Sequence, residues 1–271
     1  MYSFSGKIKL VAIISMVVGL LGIGYSFIAT PSTVEALGAH ASHDPAHAEH
    51  VLHLLQNKPW AALYVAALFF MLISLGVLAF YAINRAAQAG WAPILFRVME
   101  GITGYLPIGA LIFFLLLVFS GLHFNHLFIW MDPAVVAHDK VIQGKTGYLN
   151  VPFFLVRAAV YMLGWIAYRQ ITRKLSKAQD QAHDNRPFVK AFKWSAGFLV
   201  FFLVSESMMS WDWVMSVDPH WFSTLFGWYV FGSLIASAIA AIILVTVTLK
   251  SQGYLEHVND SHLHDLAKYL F

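Results

Sequence analysis

Six runs of about 20 apolar residues fix the solvent in which this chain folds. They cover residues 10–29, 60–83, 101–122, 151–171, 194–210 and 225–249. The fifth is the shortest and can extend to Met215. A helix of that length crosses the ~30 Å hydrocarbon core with every backbone hydrogen bond made internally. Of the 271 residues, 59% are AVILMFWYC and 11% are charged, against about 25% charged in soluble proteins. A water-soluble domain of this size has too little interior to hide so much apolar surface. The expected fold is an all-α polytopic membrane protein, and a disordered chain or a nucleic-acid binder is excluded.

Charge placement sets the expected orientation. Residues Lys7, Lys9, Arg85, Arg97, Arg169, Arg173, Lys174, Lys177, Arg186, Lys190, Lys193, Lys250 and Lys268 fall on one side, and only Lys58, Lys140 and Lys145 on the other. Positively charged loops stay inside, so the N-terminus is expected in the cytoplasm. The first run is too long for a signal-peptide core and reads as the first span. Residues 1–264 read as a single transmembrane helical domain with a His-rich outer loop at 30–59. Residues 265–271 begin another apolar pattern and are expected to start a seventh span, as in the front part of a longer bundle.

The outer loops carry most of the chemistry. The first holds His40, His43, His47, His50 and His53. Asp44-Pro45 reads as an N-cap followed by Pro, starting a short helix over 45–55 that places His47, His50 and His53 on one broad face. Imidazoles so grouped suit a metal, but no carboxylate or Cys completes a tight set, and a solvated surface helix is the plainer reading. In the second loop His123 and His126 stand at i, i+3. Asp132-Pro133 reads as a helix start, and His138-Asp139 puts an imidazole next to a carboxylate, able to exchange protons only if the backbone turns there. The third loop has Asp212, Asp218 and His220 among Trp211, Trp213 and Trp221. The tryptophans read as interface anchors, and Asp218-Pro219 as a cap for a short helix before the sixth span.

Within the spans, Arg157 sits about 9 Å and Glu206 about 6 Å below the outer ends of consecutive helices, at 1.5 Å per residue. Charges there need partners, so the two are expected to interact directly or through water, as a proton relay or as a structural ion pair. Ser205, Ser207 and Tyr161 can extend the polar path. Arg97 and Glu100 mark the inner boundary of the third span. With no cysteine, the chain cannot ligate an iron–sulphur cluster or attach a c-type haem. With no His in mid-span, it offers no bis-His haem site.

Three segments carry a family likeness: HFNHLFIWMDP from His123, GKTGYLNVPFFLVRAAVY from Gly144, and WDWVMSVDPHWFSTLFGWYVFGS from Trp211. Together they resemble the membrane subunits of alternative complex III, a bacterial quinol:electron-acceptor oxidoreductase. Those subunits belong to the NrfD/polysulfide-reductase superfamily, and the order and length of the segments are most similar to the F subunit, the second quinone-binding subunit. The resemblance covers roughly residues 111–271. It implies a bundle of about ten helices in the bacterial inner membrane. It also implies a sister NrfD-like subunit, an iron–sulphur subunit, haem c subunits and, as a further partner, a terminal oxidase. It implies quinol as ligand, with His123 or His126 and Asp139 in the quinol-associated positions.

Three functions follow as expectations. The first is a membrane subunit of a quinol-oxidising complex, contributing a quinol pocket, a proton path, or both, with Arg157 and Glu206 as the relay and the redox centres on partners. The second is a non-catalytic scaffold docking the redox subunits. The third is an independent transporter, which matching pairs of Gly/Pro-broken helices would favour and which the sequence does not display.

Overall fold

A computed structural model of the chain describes residues 6–35 and 45–270. Every regular element among them is helical. The elements are α1 Gly6–Ala29, α2 Pro45–Ala86, α3 Phe96–Ile102, α4 Leu106–Gly121, the short α5 Pro133–His138 and α6 Lys140–Gln143, α7 Val151–Gln181, α8 Arg186–Met209, α9 Phe226–Ser251 and α10 Asp260–Leu270. Six helical stretches are long and apolar enough to cross a membrane: Gly6–Ala29, Val51–Ala86, Ala92–Gly121, Val151–Gln181, Arg186–Val217 and Phe226–Ser251. The chain is thus a multi-pass membrane protein whose exposed apolar faces meet lipid. The expected runs lie in these stretches, except that Leu122 and Leu225 fall one residue outside them. The end bearing His126 and Asp139 is called the outer end below.

The helix expected over 45–55 does not stop there. It is the first part of the 42-residue α2, which continues through Pro59 into the span. Pro59 removes one backbone donor without ending the helix, and the polar residues before it hold packing roles instead of forming a loop. Asn57 Oδ1 accepts the His126 amide at 2.8 Å, and Gln56 reaches the Pro31 carbonyl at 3.4 Å. Asp44, His40 and His43 lie outside the described residues, as do the side chains of His47 and His50.

The third span bends at the 3₁₀ turn Thr103–Tyr105, between α3 and α4. Pro107, in the first turn of α4, offers no amide to the preceding turn, which is the usual origin of such a bend. The Thr103 hydroxyl donates to the Glu100 carbonyl at 3.0 Å, and Ser74 of α2 donates to the freed Ile102 carbonyl at 2.9 Å.

Small residues let the long helices close up. A Cβ on Gly76 of α2 would stand 2.6 Å from the Leu234 carbonyl of α9. One on Gly164 of α7 would collide with the Phe201 ring of α8. The outer half of the core is aromatic: Trp165, Trp213, Phe113 and Phe154 are fully buried, with Tyr64, Phe128 and Trp130 around them. A second core at the inner end joins Val77, Tyr81, Leu95 and Met99 to Ile239, Ile242 and Leu266. Leu266 comes from α10, whose Tyr269 stacks on Trp91 at 5.6 Å. α1 buries none of its residues.

Asp218-Pro219 does not cap a helix. Asp218 makes a tight turn, its side chain accepting the His220 amide at 3.1 Å and its carbonyl the Trp221 amide at 3.2 Å. α9 starts only at Phe226. Asp132-Pro133 does start a helix: Asp132 caps α5 by accepting from the Ala134 amide at 2.8 Å.

Candidate functional site

The centre of the outer half is a buried ion pair whose acid is Asp212. α8 does not end cleanly at Met209. It widens into a π turn over Ser210–Val214, followed by a 3₁₀ turn at Met215–Val217. The wider turn places two successive residues, Asp212 and Trp213, at 0% exposure, while Trp211 keeps 36%. π turns recur at functional positions for this reason. The backbone groups it displaces are satisfied from elsewhere. Tyr64 of α2 donates to the Trp213 carbonyl at 2.7 Å, and Ser216 to the Asp212 carbonyl at 2.5 Å.

Arg157 of α7 grips Asp212 with a two-pronged fork, Nε to Oδ2 at 2.9 Å and Nη2 to Oδ1 at 2.8 Å. Its Nη1 donates to the Tyr148 carbonyl at 3.0 Å, and the Tyr161 hydroxyl donates to Asp212 Oδ2 at 3.1 Å. The guanidinium lies 3.8 Å from the Tyr148 ring centre and 4.3 Å from that of Phe153. A fork to a carboxylate, with its cation over aromatic faces, is the arrangement Arg makes and Lys does not.

This corrects the expected Arg157–Glu206 pairing. Glu206 is buried at 2% exposure, but its Oε1 has no hydrogen-bond partner. The face of α8 turned to α7 runs through Phe198, Ser205 and Asp212, spaced by seven. Phe198 stacks on Tyr168 at 3.9 Å, and Ser205 accepts from Trp165 Nε1 at 2.9 Å. Glu206 is one residue off that stripe and so points elsewhere. The heptad was present in the sequence and is the signal that identifies Asp212. Depth below the outer end of the span points to Glu206 instead.

A cavity of about 370 Å³ is lined by Tyr148, Leu149, Trp211, Met215, Ser216 and Trp221 among others, and neither Arg157 nor Asp212 lines it. Tyr148 joins the cavity to the pair: its ring covers the Arg157 guanidinium and walls the cavity. Its hydroxyl is buried without a partner. Burial first, and then the negative charge of Asp212, raise its phenol well above the ordinary value. The second and third outer loops meet at this mouth. His220 Nε2 lies 2.5 Å from Asp139 Oδ2, and Lys145 Nζ donates to the Pro219 carbonyl at 2.5 Å.

Asp139 therefore pairs with His220, and the expected sets with His138, His123 or His126 do not form. Its other oxygen caps α6, accepting from Val141 and Ile142 at 2.9 and 3.1 Å. The Ile142 bond, followed by the His220 contact, holds this carboxyl below its ordinary range. No sequence spacing announces a partner 81 residues away.

His123 and His126 belong to a separate cavity of about 260 Å³ with His53, Asn125 and Asp132. The His53 and His126 rings meet edge-on at 4.5 Å. Burial, and then the neighbouring imidazoles of His53 and His123, lower the His126 pKa, with Asp132 opposing them. Asn125 accepts from Ser120 at 2.9 Å, and its Nδ2 is buried without a partner. Among the described residues, no group of three or more His, Cys, Asp or Glu is arranged to hold a metal ion.

Arg97 and Glu100 form an ion pair at 3.0 Å at the inner end, and Arg97 also binds Asp180. No protein-family model matches the chain, and no curated protein matches it.

Proposed function

We propose that this chain is an integral membrane subunit of a respiratory quinol:electron-acceptor oxidoreductase of the alternative complex III type, in the bacterial inner membrane with its N-terminus in the cytoplasm. The observation that carries the reading is the buried Arg157–Asp212–Tyr161 cluster, joined through Tyr148 to an aromatic cavity. Oxidising a quinol to a quinone releases two protons and two electrons. An aromatic slot suits the ring, and a nearby carboxylate suits the protons. The electrons leave through haem c and iron–sulphur subunits, since this chain has no thiolate to hold a cluster.

Roles within the site follow from chemistry. Arg157 keeps its proton at any working pH and cannot relay one; its two-pronged fork orients the Asp212 carboxyl. Asp212 and Glu206 are the groups able to carry protons, with Tyr148 and Tyr161 as hydroxyl steps and the Asp139–His220 pair at the outer mouth.

The test is purification from native membranes through a tag on this chain. The proposal expects haem c and iron–sulphur proteins to co-purify and the preparation to reduce a c-type cytochrome with quinol. Isolation of the chain without any redox partner refutes it. Co-purification with turnover indifferent to Asp212→Asn and Glu206→Gln leaves the chain a scaffold.

A further inference from the structure

The inner half of the protein contains a buried cation that no carboxylate among the described residues pairs with. Arg169 of α7 is 6% exposed, and its Nε is sealed without a hydrogen-bond partner. Among the described residues, no carbonyl, hydroxyl or carboxylate accepts a hydrogen bond from its guanidinium, and no carboxylate lies within ion-pair distance. The other arginines in the spans that are buried or engaged all have partners, exposed Arg186 with Asp184 among them. Arg157 has Asp212. Arg85 donates to the Tyr81 hydroxyl at 3.1 Å and lies 4.3 Å over the Phe96 ring. Arg97 has Glu100 and Asp180.

The nearest acid by sequence and fold, Glu100, is already engaged on both oxygens, with Tyr81 at 3.3 Å and Arg97 at 3.0 Å. Exposed Arg173 stands one turn beyond Arg169 on the same helix face, adding like charge. Opposite lies the bend of the third span, where Arg169 Nη2 abuts Gly104: a Cβ there would meet it at 3.6 Å, an ordinary contact. The two Nη atoms also lack partners but are not sealed as Nε is, so they form the open edge of the group. A desolvated charge without a counter-charge is strongly unfavourable. Its partner therefore lies outside the described residues, and a ligand from the membrane is the natural source.

Depth selects the partner. Arg169 is eighteen residues along α7 from Val151, or about 27 Å at 1.5 Å per residue. A hydrocarbon core is ~30 Å thick, so with its outer boundary at the first turn of α7 the guanidinium reaches the opposite headgroup level. That is the side carrying most of the Lys and Arg, where basic pockets between helices bind anionic headgroups. A guanidinium also matches phosphate with two parallel bonds. We propose that Arg169, supported by Arg173, seats the phosphate of an anionic phospholipid between α7 and the α3–α4 bend. The ligand chemistry is a phosphate oxyanion, and its source is the lipid.

The test uses the chain purified in its native assembly. Mass spectrometry under native conditions reads which phospholipid survives delipidation. Binding is then measured with vesicles of phosphatidylcholine alone or mixed with phosphatidylglycerol. The wild-type protein is expected to retain and prefer phosphatidylglycerol. Arg169→Gln should weaken that binding at least ~tenfold, the scale of one or two charge-assisted hydrogen bonds. Arg173→Gln should weaken it less, because that side chain is exposed. Should Arg169→Gln fail to assemble, Arg169→Lys keeps the charge but loses the fork and should show a smaller loss. Four results overturn the proposal: equal binding by wild type and both Arg169 variants, no preference over phosphatidylcholine, equal protection by inorganic phosphate, or a neighbouring subunit's carboxylate hydrogen-bonded to Arg169 in the assembly.

Discussion

Replacing Asp212 by Leu should be among the most damaging single changes in the outer half, and replacing Arg157 as well should undo most of the damage. Asp212 is 0% exposed and accepts three bonds, at 2.9, 2.8 and 3.1 Å, from Arg157 and Tyr161. Without it, Arg157 is left at 5% exposure with one neutral bond to the Tyr148 carbonyl and two ring faces. Breaking a buried pair from one side costs about 3–5 kcal/mol, because the remaining charge is uncompensated. At 1.4 kcal/mol per factor of ten, the unfolding equilibrium should shift by roughly a hundredfold to several-thousandfold. Arg157→Met strands the carboxylate instead and should cost about as much. The double variant strands neither. The assay is denaturation by sodium dodecyl sulfate in mixed micelles, read by tryptophan fluorescence. Trp165 and Trp213 are fully buried beside the pair, at 5.9 Å from each other. The coupling energy should exceed about 2 kcal/mol, whereas additivity within ~0.5 kcal/mol would show that the pair does not act as a unit.

Glu206→Gln keeps volume and burial and should leave assembly intact while slowing proton-coupled turnover at least ~tenfold, the scale of a lost proton-transfer group; unchanged turnover assigns Glu206 to packing. Gly76→Leu must push α2 off the Leu234 carbonyl, which a Cβ meets at 2.6 Å, and should destabilise by at least ~1–3 kcal/mol in the same assay. His126 has a lowered folded-state pKa, so its contribution to stability is present above the ordinary His pKa and is lost as pH falls toward the lowered one. Hydrogen exchange around residues 122–131 should therefore rise on acidification through the ordinary His range, and His126→Gln should remove the effect; an identical profile in that variant assigns the change to other groups.

The spans were legible because lipid demands long apolar helices, and the structure moves their ends by only a few turns. Asp132-Pro133 was legible as a cap because that chemistry is local. The similar Asp218-Pro219 failed because its carbonyl and side chain were both taken by a turn that brings His220 to Asp139. The sequence separates a short helix over 45–55 from the span at 60–83, whereas the long α2 packed on its neighbours tolerates the one donor missing at Pro59. The site was half legible. Intramembrane charge singled out Arg157 and Glu206, but partner choice depended on helix rotation, and the π turn that lowers Asp212 into the core has no simple sequence signature. The Phe198–Ser205–Asp212 heptad shows that the information was present in the phase of α8 rather than in depth from its end.

The most direct test of the proton-handling role is quinol-driven proton release by the assembled complex, reconstituted in vesicles and expressed per haem so that only assembled complexes count. The expected result is rapid proton release with cytochrome reduction in the wild type, and a loss of both by at least ~tenfold in Asp212→Asn, whose amide has the right shape but cannot take up the proton. Full rates of both in Asp212→Asn would contradict it.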